Sequence, residues 1–266
     1  MKVAIIGLGA IGGFLLGELA PDTDFEISAI CEIDEQKAGK ILTALHLPDG
    51  LLCEIDEIPD NTDVFVEAAS GSVAYKVAEL ALSRGKIAVI ASMGGLGDID
   101  NLVELARRNG GRLLLPSGAI AGLDALKAVP KESIKSVTMK STKPAGNLAD
   151  TEYIKSKGLD LNLINEPVKV FDGMARDAAI AFPKSANVAA TLALATVGLD
   201  NMRVEIWADP FSDRNRHWLQ VESGHGRIIA NVSNVPFEIN PRTSKLAAYS
   251  ILAAIRNLVN PVVIGT

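Results

Sequence analysis

Cysteine is nearly missing from this chain. Two occur among 266 residues, Cys31 and Cys53. There is no C-x-x-C pair and no His/Cys cluster at metal-ligand spacing, which excludes a disulfide framework and predicts no metal site. The expectation is two free thiols in a reducing cytosol. Histidine is as scarce, with three residues. Aromatic residues make up 5%, so the core falls to Ala, Ile, Leu and Val. Basic residues are outnumbered, 26 against 32, for a net charge of −6. That balance argues against a nucleic-acid-binding face, although a local basic pocket for an anionic substrate remains compatible with it. No apolar run reaches the roughly 18 residues of a membrane span. The first apolar run is broken by Gly7, Gly9, Gly12 and Gly13 with no cleavage site after it. It does not read as a signal peptide, and a cytoplasmic protein with no membrane partner is expected.

What is present is a rhythm. Over the first 130 residues, short β-branched runs (VAIIG, EISAICE, DVFVEAA, KIAVIAS, RLLLPSG) alternate with longer stretches of helical period. Helices are predicted at 11–19, 35–45, 73–84 and 98–109, with Asp98 as a cap and Gly85 and Gly110 as stops. Strands apolar on both faces, separated by helices, predict an α/β fold with a doubly wound parallel sheet of the Rossmann type. The pattern then changes. SIKSVTMKSTKP, VKVFDG, RVEIWADP, HWLQVES and GRIIANVS alternate apolar with polar residues, as half-buried strands do. The last two suggest a hairpin over Gly224-His225. With a helix near 185–198, these predict a second, α+β domain for substrate, catalysis and dimerisation over residues 123–242. The apolar helix after Thr243 or Ser244, read as its N-cap, is expected to rejoin the first domain, which then comprises 1–122 and 243–266.

GLGAIGG follows the first strand and opens the first helix. Gly7, Gly9 and Gly12 fit G-x-G-x-x-G: a tight turn, a close backbone approach to a pyrophosphate, and close helix–strand packing. The N–H groups of Ala10 and Ile11 would point at the phosphates. Glu32 ends the second strand, where an acid accepts bonds from ribose hydroxyls. With Ile33 and Asp34 after it, NAD is expected over NADP; Lys37, the nearest base, leaves NADP as the alternative. Ala69 and Ser70 in EAAS, and the ASMGG stretch, end later strands at the edge where such sheets bind ligands.

A cofactor fold does not name a reaction. Among the histidines, His46 reads as a surface residue at a helix end and His225 as a hairpin tip. His217 begins a strand after the polar loop Asp213–Arg216, and is the candidate acid/base, with an ordinary loop position as the alternative.

Several stretches together resemble the L-aspartate dehydrogenase family of archaea and bacteria: GLGAIG, VFVEAAS, LPSGAIAGLDALKA, Lys143-Pro144, FDGMARDAAIAFPKSANVAATLALATVG, NRHWLQVES and NPRTSKLAAYS. PSGAIAGLDAL and FPKSANVAATLALA are its specific parts, and it spans nearly the whole chain. The resemblance implies that His217 is the acid/base and that Ala121 and Asn187 contact the nicotinamide cofactor. It implies NAD(P)-dependent oxidation of L-aspartate to iminosuccinate, then oxaloacetate and ammonia, feeding NAD biosynthesis, in a homodimer. Lys143, Lys184 and the backbone near Ser117 are candidates for the substrate carboxylates. Read from the residues alone, Asn187 better suits a helix cap and Lys143 a solvated strand end. Two other readings compete: a two-domain dehydrogenase for another small amino or hydroxy acid, and a non-catalytic NAD(H) sensor. Sugar and polyol dehydrogenases of this shape carry Glu-Lys-Pro where this chain has ASMGG.

Overall fold

The first five strands are apolar on both faces because both faces are covered. The computed structural model describes residues 1–183 and 186–265. In it, β1 (Lys2–Ile6), β2 (Glu26–Cys31), β3 (Val64–Glu67), β4 (Ile87–Ile90) and β5 (Arg112–Leu114) form one parallel sheet in the order β2-β1-β3-β4-β5. Val3 and Ile5 face α1 (Ala10–Leu19), α2 (Glu35–Ala44) and the last helix, α10 (Lys245–Arg256), packing with Leu15, Leu16, Leu42, Ile251 and Ile255. Ala4 and Ile6 face the opposite core, where α3 (Gly71–Ser83) and α4 (Asp100–Asn109) supply Val77, Ala81, Leu82 and Leu102. Each large side chain so buried contributes about 1.5–3 kcal/mol. The doubly wound parallel sheet expected from the rhythm is borne out.

The chain divides into two compact units. One comprises Met1–Pro116 with Ala248–Val263, and the other is built on Ser117–Ala247. The second unit holds a mixed sheet of β6 (Ile134–Pro144), β7 (Val168–Met174), β8 (Arg203–Asp209), β9 (Arg216–Ser223) and β10 (Gly226–Ser233), ordered β10-β9-β6-β8-β7. β6 runs parallel to β8 and antiparallel to β9. β9 turns into β10 over Gly224-His225. Along β6, Val137, Met139, Ser141 and Lys143 are buried while the residues between them are partly exposed. That face begins apolar and ends polar. Among the described residues no helix is long and apolar enough to cross a membrane.

Several local expectations are corrected. α4 begins at Asp100, with Ile99 in the cap position; Asp98 instead accepts the Asp100 N–H at 3.0 Å in a local turn. Ser244 closes a short strand (Asn240–Ser244) paired with Pro236–Phe237 and immediately precedes α10, the cap position expected of Thr243 or Ser244. β5 stops at Leu114, just before Pro116, which has no N–H to offer a ladder. Four short helices were not expected: α5 (Leu123–Lys127), α6 (Ala145–Ala149), α7 (Glu152–Ser156) and α8 (Ala175–Ala181). Five to seven residues are too few to show a period of 3.6. α9 spans Asn187–Ala195.

Candidate active site and cofactor cleft

A cleft of about 390 Å³ opens at the carboxyl edge of the parallel sheet, lined by Gly7, Gly9, Cys31, Glu32, Ile33, Lys37, Cys53, Ala69 and Ser70 among others. Gly7, Gly9 and Gly12 have different reasons to be glycine. Gly7 has φ +90°, and a Cβ there would meet the Ala69 backbone at 2.6 Å. A Cβ on Gly12 would lie 1.8 Å from the Gly7 carbonyl oxygen, so α1 can approach the turn only without a side chain. Gly9 is different. Among the described residues beyond its chain neighbours, nothing comes closer than 4.0 Å to its missing Cβ, and its φ is an ordinary −62°. The space it leaves belongs to the cleft. The pair makes a prediction. Gly9→Ala weakens NAD binding by about tenfold or more with stability nearly unchanged, whereas Gly12→Ala destabilises the fold by about 1–3 kcal/mol. Calorimetric titration and thermal melts check it; equal loss of stability in both variants would refute the distinction.

Ala10, Ile11 and Gly12 stand at the start of α1 rather than in the cleft lining. The first helical bond is Gly13 N–H to the Gly9 carbonyl, so the three preceding N–H groups have no intrahelical acceptor and suit an anion. Glu32 accepts the Leu8 N–H at 2.8 Å, the Asp34 N–H at 3.2 Å and the Lys37 ammonium at 3.3 Å. Partial burial opposes ionisation, but these donors outweigh it and hold the carboxyl below its usual range. Two bonds fall on Oε2 and one on Oε1, which leaves Oε1 capacity for a ribose hydroxyl. Lys37 stands half-exposed on the cleft, paired with Glu32.

Beneath the cleft lies a residue whose role the sequence did not disclose. Glu67 is fully buried. Burial raises its pKa, and donors partly offset that rise: the Ser92 N–H at 2.9 Å, the Ser92 hydroxyl at 2.9 Å and the Ala69 N–H at 2.9 Å. One carboxylate thus ties the turn after β3 to the turn after β4. No cation pairs with it among the described residues. Glu67→Gln turns an acceptor into a donor facing these N–H groups, and should cost about 1–3 kcal/mol and weaken NAD binding. A melt and a binding titration equal to the parent's would refute this.

In the second unit, His217 lies at the polar end of the buried sheet face and is 2% exposed. Its register partner on β6 is Ser141, whose hydroxyl meets Nδ1 at 3.0 Å. Nε2 has no protein partner among the described residues, so it is the nitrogen available for chemistry. Two residues along β6 stands Lys143, 6% exposed. It has no ion pair or hydrogen bond among the described residues. Burial depresses the ammonium to about 8. Burial, and then the Lys143 charge, depress His217 to about 3, so the imidazole is neutral near pH 7. A buried ammonium without a counter-ion is costly, and here it borders a neutral base.

The loop at 117–122 carries Ser117, half-buried, and Ala121, exposed. Asn234 anchors it, donating from Nδ2 to the Ala119 carbonyl at 3.1 Å while its own N–H reaches the Asn215 carbonyl at 2.9 Å. One residue, through its side chain and its backbone, therefore links this loop to Asn215, next to the strand bearing His217. Asn187 is the first residue of α9, with Ala186 in the cap position. α9 packs against α5, which follows Ala121. Lys184 lies outside the described residues. His46 and His225 are exposed at a helix end and a hairpin tip. Among the described residues no group of three or more His, Cys, Asp or Glu is placed to hold a metal.

A glycine-rich first turn, an acid at the end of the second strand and free N–H groups at the first helix define a dinucleotide-binding protein. The other unit adds a buried neutral base, His217, with the Lys143 ammonium near it. Comparison with known proteins specifies it further. Residues 124–258 match the model of the aspartate dehydrogenase C-terminal domain, and residues 7–116 match that of the homoserine dehydrogenase NAD-binding domain. The L-aspartate dehydrogenase of Bradyrhizobium diazoefficiens is 40% identical over all of this chain and 94% of its own. That of Methanocaldococcus jannaschii is 39% identical over the full length of both. The crystal structure of aspartate dehydrogenase from Thermotoga maritima superposes with a TM-score of 0.74, at 29% identity, over 100% and 99% of the two chains. The chain belongs to the L-aspartate dehydrogenase family, and its nucleotide cofactor is NAD or NADP.

Proposed function

We propose that this protein oxidises L-aspartate to iminosuccinate, which water then converts to oxaloacetate and ammonia. The observation that carries the reading is Lys143, a buried ammonium with no protein counter-ion, beside a neutral histidine. It supports an anionic substrate whose carboxylate supplies the missing charge, a charge-assisted bond stronger than a neutral one. Ser117 and the loop braced by Asn234 are candidates for the second carboxylate. The cofactor, when bound, accepts the hydride from the substrate's Cα. Gly9, the first turn of α1, Glu32, Ala69 and Ser70 bind and orient it, and Ala121 and Asn187 are assigned to its nicotinamide end. His217 manages protons. Its Nε2 takes the proton from a water that adds to the imine carbon, and returns one as ammonia leaves. Ser141 fixes the ring, since its hydroxyl can donate to or accept from Nδ1 as the tautomer requires.

The same reading makes NAD the preferred cofactor, because Glu32 presents negative charge where a 2′-phosphate would lie. It also makes the protein a cytoplasmic homodimer whose product feeds nicotinamide-dinucleotide biosynthesis. The experiment is the appearance of reduced-nicotinamide absorbance with L-aspartate and NAD, with NADP in parallel, and with L-glutamate, L-malate and L-homoserine as controls. Aspartate-specific reduction is expected. Tight NAD binding with no aspartate turnover in either direction would overturn the substrate and leave the cofactor fold intact.

A further inference from the structure

The chain's two cysteines are brought together by the fold. Cys31 ends β2. Ile30 forms a parallel bridge with Leu52, and the Cys53 N–H donates to the Ile30 carbonyl at 3.1 Å. The next pair in that register is Cys31 with Cys53. Their thiols are close enough to perturb one another, neither is in a disulfide, and both line the cofactor cleft beside Glu32.

We propose that Cys31 and Cys53 form a dithiol site for a trivalent arsenical, and that the adduct excludes the dinucleotide from the cleft. Both thiols are free, and a single bridging atom joins them without the oxidant that a direct sulfur–sulfur bond requires. Charge then selects the bridging atom. A soft metal cation takes its cysteines as thiolates. Burial, reinforced by the carboxylates of Glu54 and Glu57, pushes both thiols above their ordinary range. Phenylarsine oxide instead takes up the two thiol protons itself. With phenylarsine oxide, two S–H bonds break and two As–S bonds form. The arsenic-bound oxygen leaves with both protons as water, and arsenic stays trivalent throughout. Cys53, the more exposed thiol, reacts first, and buried Cys31 closes the ring. The phenyl group is then left on the wall where the ribose end of the dinucleotide is to bind.

The test treats the whole chain with stoichiometric phenylarsine oxide and follows intact mass, free thiols, far-UV circular dichroism and NAD affinity. One arsenical per chain is expected, with both thiols lost, the dichroism retained and NAD binding weaker by about tenfold or more. A dithiol should reverse it and a monothiol should not, and saturating NAD should slow the modification. Cys53→Ser, measured against its own untreated baseline, should form no stable adduct. Four results would overturn the proposal: no adduct in the parent chain, an adduct with unchanged NAD affinity, the same stable adduct in Cys53→Ser, or loss of the fold on modification.

Discussion

Replacing His217 with alanine lowers kcat for aspartate oxidation by about 10²- to 10⁴-fold and leaves NAD affinity unchanged. The split follows from where the residues lie. The cleft that fits the dinucleotide is lined by residues of the first unit, whereas His217 sits on β9 of the second. Its role is proton transfer, and alanine cannot hold a proton. His217→Asn sharpens the test. It keeps a polar partner for Ser141 but has no basic nitrogen, so it should be as slow as alanine. The acid side of the profile is informative too. With His217 depressed to about 3, the imidazole stays unprotonated from neutral pH down to about 4. The parent should therefore show no loss of kcat/KM near the ordinary histidine value of about 6.5. An acid limb centred there, or an NAD affinity that falls along with kcat, would contradict this account.

Lys143→Met should make the protein more stable and the enzyme worse. The folded-state value of about 8 lies below the 10.5 of the exposed group, so protonating this lysine opposes folding. The penalty is complete below pH 8, fades as the pH rises from 8 to 10.5, and is gone above. The difference corresponds to roughly 3 kcal/mol. Methionine keeps the apolar stem and removes the charge. The variant is expected to gain about 1–3 kcal/mol at pH 7, seen as a Tm higher by roughly 3–10 °C, and the gain should vanish above pH 10.5. Its KM for aspartate should rise by about 10- to 100-fold, the worth of a hydrogen bond to a charged group. In the parent, kcat/KM should fall above pH 8 as the free enzyme's ammonium deprotonates. A Lys143→Met protein that is less stable at pH 7, or has an unchanged KM, would remove Lys143 from the substrate site.

The first unit was legible because its signals are local. Strands such as VAIIG and IAVI are apolar throughout since helices cover both faces, and the glycines of GLGAIGG and Glu32 sit at fixed offsets along one βαβ unit. The second unit hid more. His217 could be singled out by residue type, but Ser141 becomes its partner only through the register of β6 on β9, 76 residues away in sequence. Lys143 was visible as a charge in an alternating strand; that it falls on the buried face depends on which parity of β6 packs inward. Glu67 looked like part of a small-residue turn. Its meaning depends on Ser92, in the turn after the next strand of the sheet. Asn234 could not be connected to Ala119 from spacing at all. The short helices α5 to α8 offer at most two turns each, less than periodicity needs.

The last helix carries a consequence for how the protein is made. Ile251, Leu252 and Ile255 complete a core whose other members come from the first ninety or so residues. On the ribosome, every strand of the nucleotide-binding sheet emerges before the helix that covers one of its faces. The polypeptide of the other unit is synthesised in between. The nascent first unit must therefore wait with Val3, Ile5 and Val66 incompletely covered until residues 245–256 have been made. Chaperone capture of stalled chains should be strongest for those ending between residues 116 and 245, and release should coincide with the exposure of that final segment outside the exit tunnel.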